Sequence, residues 1–156
     1  MRSPRYRLER IQCMPQSRDT VFAFFADAGN LELLTPDFLH FRIRTPLPIA
    51  MQSGTLIDYQ LRLFAIPIKW RTRIDTYEPP CRFTDIQLRG PYRYWHHLHA
   101  FFEVPGGTLV VDRVDYELPF GVLGTVAHTW VIRRILARIF DYRRAYLEHH
   151  FGHTHR

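Results

Sequence analysis

The hydrophobic pattern of this chain changes its period once, and that change constrains the fold more than any other feature. Between residues 39 and 117, apolar side chains recur at every second position, and turn signals such as PLP, SG, EPP, GP and PGG interrupt them. After Gly124 they recur every three to four residues, from Ile132 through Phe140 to Leu147. The first period is typical of strands that bury one face, and the second of an amphipathic helix. The sequence therefore predicts consecutive strands followed by a helix of about 25 residues.

The strands can be placed along the chain from this alternation. A first strand covers Tyr6 to Met14, where apolar and polar side chains loosely alternate. Pro105-Gly106-Gly107 is typical of a hairpin turn, so the strands on either side of it should pair. The strands after the first cover residues 39–43, 57–63, 69–74, 83–89, 94–103 and 108–117. The sheet should therefore contain about seven antiparallel strands.

Two short helices are predicted between the first two strands. Ser17 is a favourable N-cap for a helix that ends by Gly29. Asn30 can cap a second helical turn, which must stop before Pro36 because a proline disfavours helix at the preceding residue.

The long terminal helix has one economical position relative to such a sheet. A curved antiparallel sheet that wraps around the helix buries the apolar faces of both. The curvature leaves space between the two layers, and that space is a candidate site for a small molecule. The predicted fold class is therefore α+β, with residues 1–156 as a single domain.

Composition narrows the function classes. The net charge of +6 would fit a nucleic-acid or membrane partner. Lys69 is the only lysine, however, and the arginines are scattered over every segment, so no nucleic-acid partner is predicted. The chain contains 12 Phe, 8 Tyr and 3 Trp, which suits the wall of an apolar cavity and equally an ordinary core.

The location and the cysteines are also open to prediction. The chain opens without a charged segment followed by an apolar one, so a cytoplasmic location is expected. The most apolar stretch, Leu118 to Ile132, is too short to cross a membrane. Cys13 and Cys81 match no metal or redox spacing and are predicted to be buried free thiols.

Four stretches carry a resemblance to a known superfamily. They are LELLTPDFLHFRI at 31–43, IPIKWRT at 66–72, FTDIQLRGPYRYWHHLHAFFEV at 83–104 and DRVDYELPFG at 112–121. With the order of elements, they resemble the helix-grip superfamily (SRPBCC) of START lipid-transfer domains, birch-allergen-like proteins and polyketide cyclases, and more narrowly the bacterial ligand-binding SRPBCC domain proteins. The resemblance implies a curved sheet around a long C-terminal helix and a cavity for a hydrophobic ligand. It implies no particular reaction.

Candidate ligand-binding residues lie on the faces that should point inward. Trp95, His97 and His99 share one face of a strand, and the neighbouring strands place Asp85 and Asp112 on theirs. An inward orientation would set a few polar groups in an aromatic wall, as a site that orients a ligand requires. The predicted site residues are Tyr59, Trp70, Asp85, Gln87, Trp95, His97, His99, Phe101, Asp112 and Tyr116.

Three functions fit this pattern. The first is binding or carriage of an apolar, lipid-like or aromatic small molecule. The second is a cyclase or dehydratase in which His97 or His99, oriented by Asp85 or Asp112, acts as an acid–base catalyst. The third is a regulatory subunit with a vestigial cavity, for which the interior should be filled.

No metal and no cofactor are predicted from the sequence. Adjacent residues on one face of a strand are nearly 7 Å apart at the backbone. The spacing of His97 and His99 therefore does not by itself bring both imidazoles onto one ion. No G-x-G-x-x-G or P-loop pattern points to a nucleotide.

A gate to the cavity is predicted between the last strand and the long helix. Phe120, Gly121, Val122, Leu123 and Gly124 combine large apolar side chains with two flexible positions. Such a segment could cover the ligand, or touch a membrane surface transiently while arginines of the following helix meet anionic headgroups.

Overall fold

The computed structural model describes residues 4–152. Within that range the strands are β1 (Arg5–Met14), β2 (Arg42–Ile43), β3 (Leu56–Leu63), β4 (Ile66–Glu78), β5 (Arg82–Arg89), β6 (Tyr94–Val104) and β7 (Gly107–Glu117). The α-helices are α1 (Arg18–Ala26), α2 (Gly121–Ala127) and α3 (Arg133–Phe151). The predicted α+β class is confirmed, and the strands lie close to where the alternation placed them.

All seven strands form one antiparallel sheet in the order β1-β7-β6-β5-β4-β3-β2. Each strand from β2 to β7 therefore pairs with its neighbour in the chain, as a meander does, and β1 returns to pair with β7 along its whole length. The β6–β7 turn requires glycine at Gly107, because a Cβ there would lie 1.9 Å from the carbonyl oxygen of Met14. This close approach is made possible by the missing side chain.

The segment between β1 and β2 differs from its prediction. The Ser17 hydroxyl accepts from the backbone N–H of Thr20 at 3.3 Å and starts α1 as expected. The second predicted helix is only a single 3₁₀ turn at Ala28–Leu31, and another follows at Asp37–Leu39. That second turn ends at His40, which has a φ of 46°, so the strand predicted at 39–43 shrinks to two residues. Short turns replace regular structure here because Pro36 interrupts both patterns.

The long helix begins earlier than the sequence predicts. α2 starts at Gly121, and a π-helical turn at His128–Ile132 joins it to α3. The periodicity starts only after Gly124 because several apolar side chains of α2 face solvent and contribute no buried stripe; Leu123 is 76% exposed. The predicted gate is therefore the first helical turn rather than a loop. Among residues 4–152, no helix is long and apolar enough to cross a membrane.

The core forms where α1 and α3 pack onto the sheet. One cluster joins α1, α3 and the adjacent parts of the sheet through residues such as Phe22, Phe101 and Leu147. A second joins α3 to β7 through Leu136, Phe140, Val114 and Tyr116. The prediction of buried thiols is wrong, because Cys13 and Cys81 are both exposed. Cys13 lies on the outward face of β1, and Cys81 in the turn before β5.

Candidate functional site

A cavity of about 170 Å³ lies between the sheet and α3 and is open on one side. Its floor comes from β3, β4, β5 and β6, and its roof from α3 and the irregular segment around residues 28–41. No residue of β1 or β7 lines it, because α3 packs directly onto those two strands. The sheet is therefore divided into a half that is covered by the helix and a half that faces the cavity.

Aromatic rings form one wall of the cavity. Trp70 stacks on Tyr59, with ring centroids 5.6 Å apart, and meets Trp95 edge-on at 5.1 Å. Tyr92 completes the cluster at 4.7 Å from Trp95. Contacts of this geometry rigidify the wall, because the rings hold one another in place.

Three polar side chains lie together in the floor. The distance from Asp85 Oδ2 is 3.6 Å to His97 Nδ1 and 3.4 Å to His99 Nε2. The two imidazoles pack against each other, with centroids 3.9 Å apart. The Thr72 hydroxyl lies 3.2 Å from Asp85 Oδ1 and 3.0 Å from the carbonyl oxygen of Ile86, and its one proton serves these two acceptors. All four side chains line the cavity, so a bound molecule would meet them.

A second carboxylate lies behind the imidazoles, away from the cavity. His97 Nε2 is in direct contact with Asp112 Oδ1, and His99 Nδ1 lies 3.5 Å from the same oxygen. The Arg143 guanidinium donates to Asp112 Oδ2 at 3.1 Å. Asp112 and Arg143 are buried, and Arg143 also reaches the cavity wall. The network thus runs from α3 through β7 to the floor of the cavity.

Electrostatic contacts within the network oppose the effect of burial on the pKa values of its two carboxyl groups. Burial alone would raise the pKa of both carboxyls, but contacts with His97 and His99 hold the pKa of Asp85 below its ordinary value. Attraction to His97 and Arg143 holds the pKa of Asp112 still further below its own. Burial, reinforced by His97, lowers the pKa of His99, and the carboxylates offset only part of that effect. Both aspartates are therefore ionised at neutral pH, and His99 is neutral.

Solved structures of other proteins share this architecture. No family model and no curated protein sequence matches the chain. The solved structure of the Zhui aromatase/cyclase from Streptomyces sp. R1128 superposes with a TM-score of 0.74 at 13% identity, over 94% of this chain and 93% of that one. The chain has the helix-grip fold.

Two further helix-grip structures agree. A protein from Thermus thermophilus superposes with a TM-score of 0.70 at 16% identity, covering 94% of this chain and 95% of that one. A Thalictrum norcoclaurine synthase point mutant, solved with a transition-state analogue, superposes with a TM-score of 0.67 at 11% identity. That superposition covers 96% of this chain and 98% of the other. Helix-grip structures thus include named enzymes. At these identities the similarity establishes the fold alone.

The helix-grip architecture brings six of the ten predicted site residues to the cavity. They are Tyr59, Trp70, Asp85, Trp95, His97 and His99. Asp112 is one layer behind, as described. Phe101 belongs to the core between α1 and the sheet, and Gln87 holds the β5–β6 turn by donating to the carbonyl of Tyr92 at 2.7 Å. Tyr116 packs under the long helix, where its hydroxyl meets His128 Nε2 at 2.7 Å.

The predicted gate lies beside the cavity rather than in its wall. None of the described side chains of residues 120–124 lines the cavity, and the side chains of Val122 and Gly124 lie outside the described ones. Phe120 is 81% exposed and has a φ of 69°. Along the chain, the first residue after this segment that lines the cavity is Ile132, in the π-helical turn that follows α2.

Sequence reasoning missed Arg143 and Tyr92. Arg143 is the one charged residue at a core-facing position of the apolar stripe of α3, and that mismatch was the available signal. Tyr92 lies in the β5–β6 turn, where no periodicity indicates which way a side chain points. Residues from the irregular segment, such as Leu34 and Leu39, also line the cavity without a sequence signal.

Proposed function

We propose that this protein binds an apolar small molecule in the cavity between the sheet and α3. The observation that carries the proposal is an apolar, aromatic-lined space that ends on one compact polar group, Asp85 with His97 and His99. Such a site binds the body of a ligand by burial and orients it through a few hydrogen bonds. The ligand therefore has an apolar body and one polar end.

The size of the cavity limits the buried part of the ligand. A cavity of about 150 Å³ lined by apolar side chains can hold benzene. The volume of about 170 Å³ found here therefore fits roughly one aromatic ring or a short branched chain. A longer ligand, such as a lipid-like molecule, would extend out of the cavity through its open side.

Dye binding tests the location directly. Anilinonaphthalene sulfonate, which fluoresces in apolar surroundings, should bind the wild-type protein at one molecule per chain. Ile135→Trp fills the cavity from α3 and should weaken binding at least tenfold, whereas Val131→Trp, a similar enlargement outside the cavity wall, should leave it within twofold. Equal affinities for the two variants would contradict binding at this place. Native mass spectrometry of protein purified from its own host would then identify a retained ligand by its added mass.

A second candidate function is acid–base catalysis on a carbonyl compound held in the same cavity. It is favoured by the contact between His97 and Asp112, because a buried carboxylate that orients an imidazole is the usual support of a general base. The test is a small-molecule extract of the host incubated with wild-type protein and with His97→Gln. Dehydration, with or without ring closure, predicts a product lighter by one water, and ring closure alone predicts an isomer of unchanged mass with a new retention time. Either product should appear only with the wild type. A regulatory subunit with a vestigial cavity is disfavoured, since its interior should be filled.

We also propose that ligand uptake takes place at the end of the molecule where α2 begins. The β3–β4 hairpin, the start of β6 and the end of β7 share this end of the sheet. It exposes Phe64 on the hairpin and Phe120 and Leu123 at the start of α2, the helix that leads to Ile132 in the cavity wall. Exposed apolar side chains that flank an apolar cavity favour transient contact with a membrane surface, from which such a ligand would be taken.

A further inference from the structure

The three polar side chains in the cavity floor have the composition and spacing of a metal site. Asp85, His97 and His99 each present one ligand atom, and the three atoms lie within 4.8 Å of one another. Ligand atoms at about 2.0–2.1 Å from one zinc ion and at tetrahedral angles are about 3.3 Å apart. The observed separations of 3.4 and 3.6 Å from Asp85 Oδ2 to the two imidazole nitrogens are close to that value. The spacing along β6 did not require this convergence, and the pairing of β6 with β5 supplies it.

The surroundings of these atoms match those of metal-bound imidazoles. A histidine that binds a metal through one ring nitrogen usually donates the N–H of its other nitrogen to a carboxylate. Here His97 Nε2 contacts Asp112 Oδ1 in this way, whereas His99 Nδ1 lies 3.5 Å from the same oxygen and makes no hydrogen bond within the part of the chain that the structure describes. Arg143 anchors the far oxygen of Asp112 from α3. The Thr72 hydroxyl lies 3.2 Å from the oxygen of Asp85 that does not face the imidazoles.

We propose that Asp85, His97 and His99 bind a divalent first-row transition ion, with Asp112 as the positioning residue for the His97 imidazole. Two imidazoles and one carboxylate suit zinc and iron(II), and three protein ligands leave at least one position of the ion open. Because all three ligands line the cavity, that open position faces the bound small molecule. An oxygen at the polar end of the ligand, such as a carbonyl or carboxylate, would complete the coordination.

Metal titration tests the proposal without any organic ligand. Untagged protein is freed of metal with a chelator and titrated with Zn²⁺ by calorimetry. We expect one ion per chain, at least a hundredfold weaker binding in Asp85→Asn and in His97→Gln/His99→Gln, and ten- to a hundredfold weaker binding in Asp112→Asn. Weaker zinc binding by Asp112→Asn would identify a positioning role, because Asp112 itself does not contact the ion. A merely structural role would leave the zinc affinity of the folded variant unchanged.

Matched controls exclude the other histidines. His96→Gln alters the histidine that precedes His97, on the opposite face of β6, and glutamine at His149, His150, His153 and His155 removes the histidine-rich end of the chain. Both variants should bind within twofold of wild type. Uptake that is unchanged in the His97/His99 variant, or that disappears with the tail histidines, would overturn the proposal, as would the absence of uptake by the wild type.

X-ray absorption at the zinc edge keeps the test independent of how the variants fold. The Zn²⁺-loaded wild type should show nitrogen and oxygen neighbours at about 2.0–2.1 Å together with the outer-shell scattering of two imidazoles. A spectrum with sulfur neighbours, or with fewer than two imidazoles, would contradict the assignment. Neither result depends on dye binding, so a failure here leaves the proposed small-molecule function standing, and the reverse also holds.

Discussion

The hydroxyl of Tyr116 and Nε2 of His128 lie 2.7 Å apart and join the end of β7 to the π-helical turn of the long helix. His128 is buried, and its ring also stacks on that of Tyr6 in β1, with ring centroids 3.5 Å apart. A π-helical turn inserts one residue into the helix, which here turns an imidazole towards the sheet in an otherwise exposed stretch. The attachment of α2 to the sheet therefore depends on a titratable group.

Acidification should weaken this attachment. Burial, reinforced by the nearby Arg133, lowers the pKa of His128 below its ordinary value of 6.5. Burial raises the pKa of the facing Tyr116 to about 12, so that phenol is uncharged at neutral pH. The neutral form of His128 is thus favoured in the folded protein, and the unfolded chain takes up the proton first. The stabilisation is complete above about pH 6.5 and is lost as the pH falls through and below that value.

Urea unfolding at pH 8, 7, 6 and 5 measures the effect. Because the lowered pKa of His99 acts in the same direction, the relevant quantity is the difference in unfolding free energy between wild type and His128→Gln. That difference should be largest at pH 8 and shrink towards pH 5. Parallel curves for the two proteins would show that His128 is not the group responsible.

Trp95 and Phe101 should respond in opposite ways to substitution. Trp95 lines the cavity, so Trp95→Ala should weaken dye binding at least tenfold, because burying a large aromatic side chain is worth about 1.5–3 kcal/mol. Phe101 lies in the core, so Phe101→Leu should cost about 1–2 kcal/mol of stability and leave dye affinity within twofold. Fluorescence titration and urea unfolding of both variants check this. A loss of affinity in folded Phe101→Leu would place the ligand deeper than the cavity described here.

Arg143 should be essential to stability only while Asp112 is charged. In metal-free protein, Arg143→Met leaves a buried carboxylate without its cation and should cost about 3–5 kcal/mol. Adding Asp112→Asn removes the charge and should restore part of that loss, which a double-mutant cycle measures. Arg144→Met is the matched control, since its ion pair with Glu148 is exposed and should be worth less than about 1 kcal/mol. Additive losses for Arg143 and Asp112 would contradict a direct coupling.

Phe120 and Leu123 should contribute to membrane contact. We expect the wild type to sediment with vesicles that contain anionic lipid and to do so more weakly with neutral vesicles, since Arg133 and Arg134 follow α2 closely in the chain. Phe120→Ser/Leu123→Ser should reduce the partition constant roughly tenfold by removing apolar surface. Phe102→Ser removes an exposed phenylalanine at the other end of β6 and should have no effect. An equal reduction by the control would argue against a defined contact.

Much of the fold and part of the site could be predicted because the relevant signals are local. In β7, alternate residues from Thr108 to Leu118 are buried, as a period of two requires of a strand with one covered face. The same rule turned His97 and His99 inward and brought Asp85 beside them. Hydrophobic periodicity could not locate the early start of the long helix, because Leu123 and Trp130 are exposed and belong to no buried stripe.

The sequence by itself determined which face of each strand is buried, since a side chain's side of the sheet depends only on its position within its own strand. Only the tertiary structure decided what covers that face. Asp85 and Asp112 are alike in sequence, each on an inward face beside β6, yet β5 faces the cavity and β7 lies under α3. One carboxylate is therefore open to a ligand, and the other is held by Arg143. The difference arises from where a helix about 30 residues distant in the chain crosses the sheet, and no local pattern encodes that crossing.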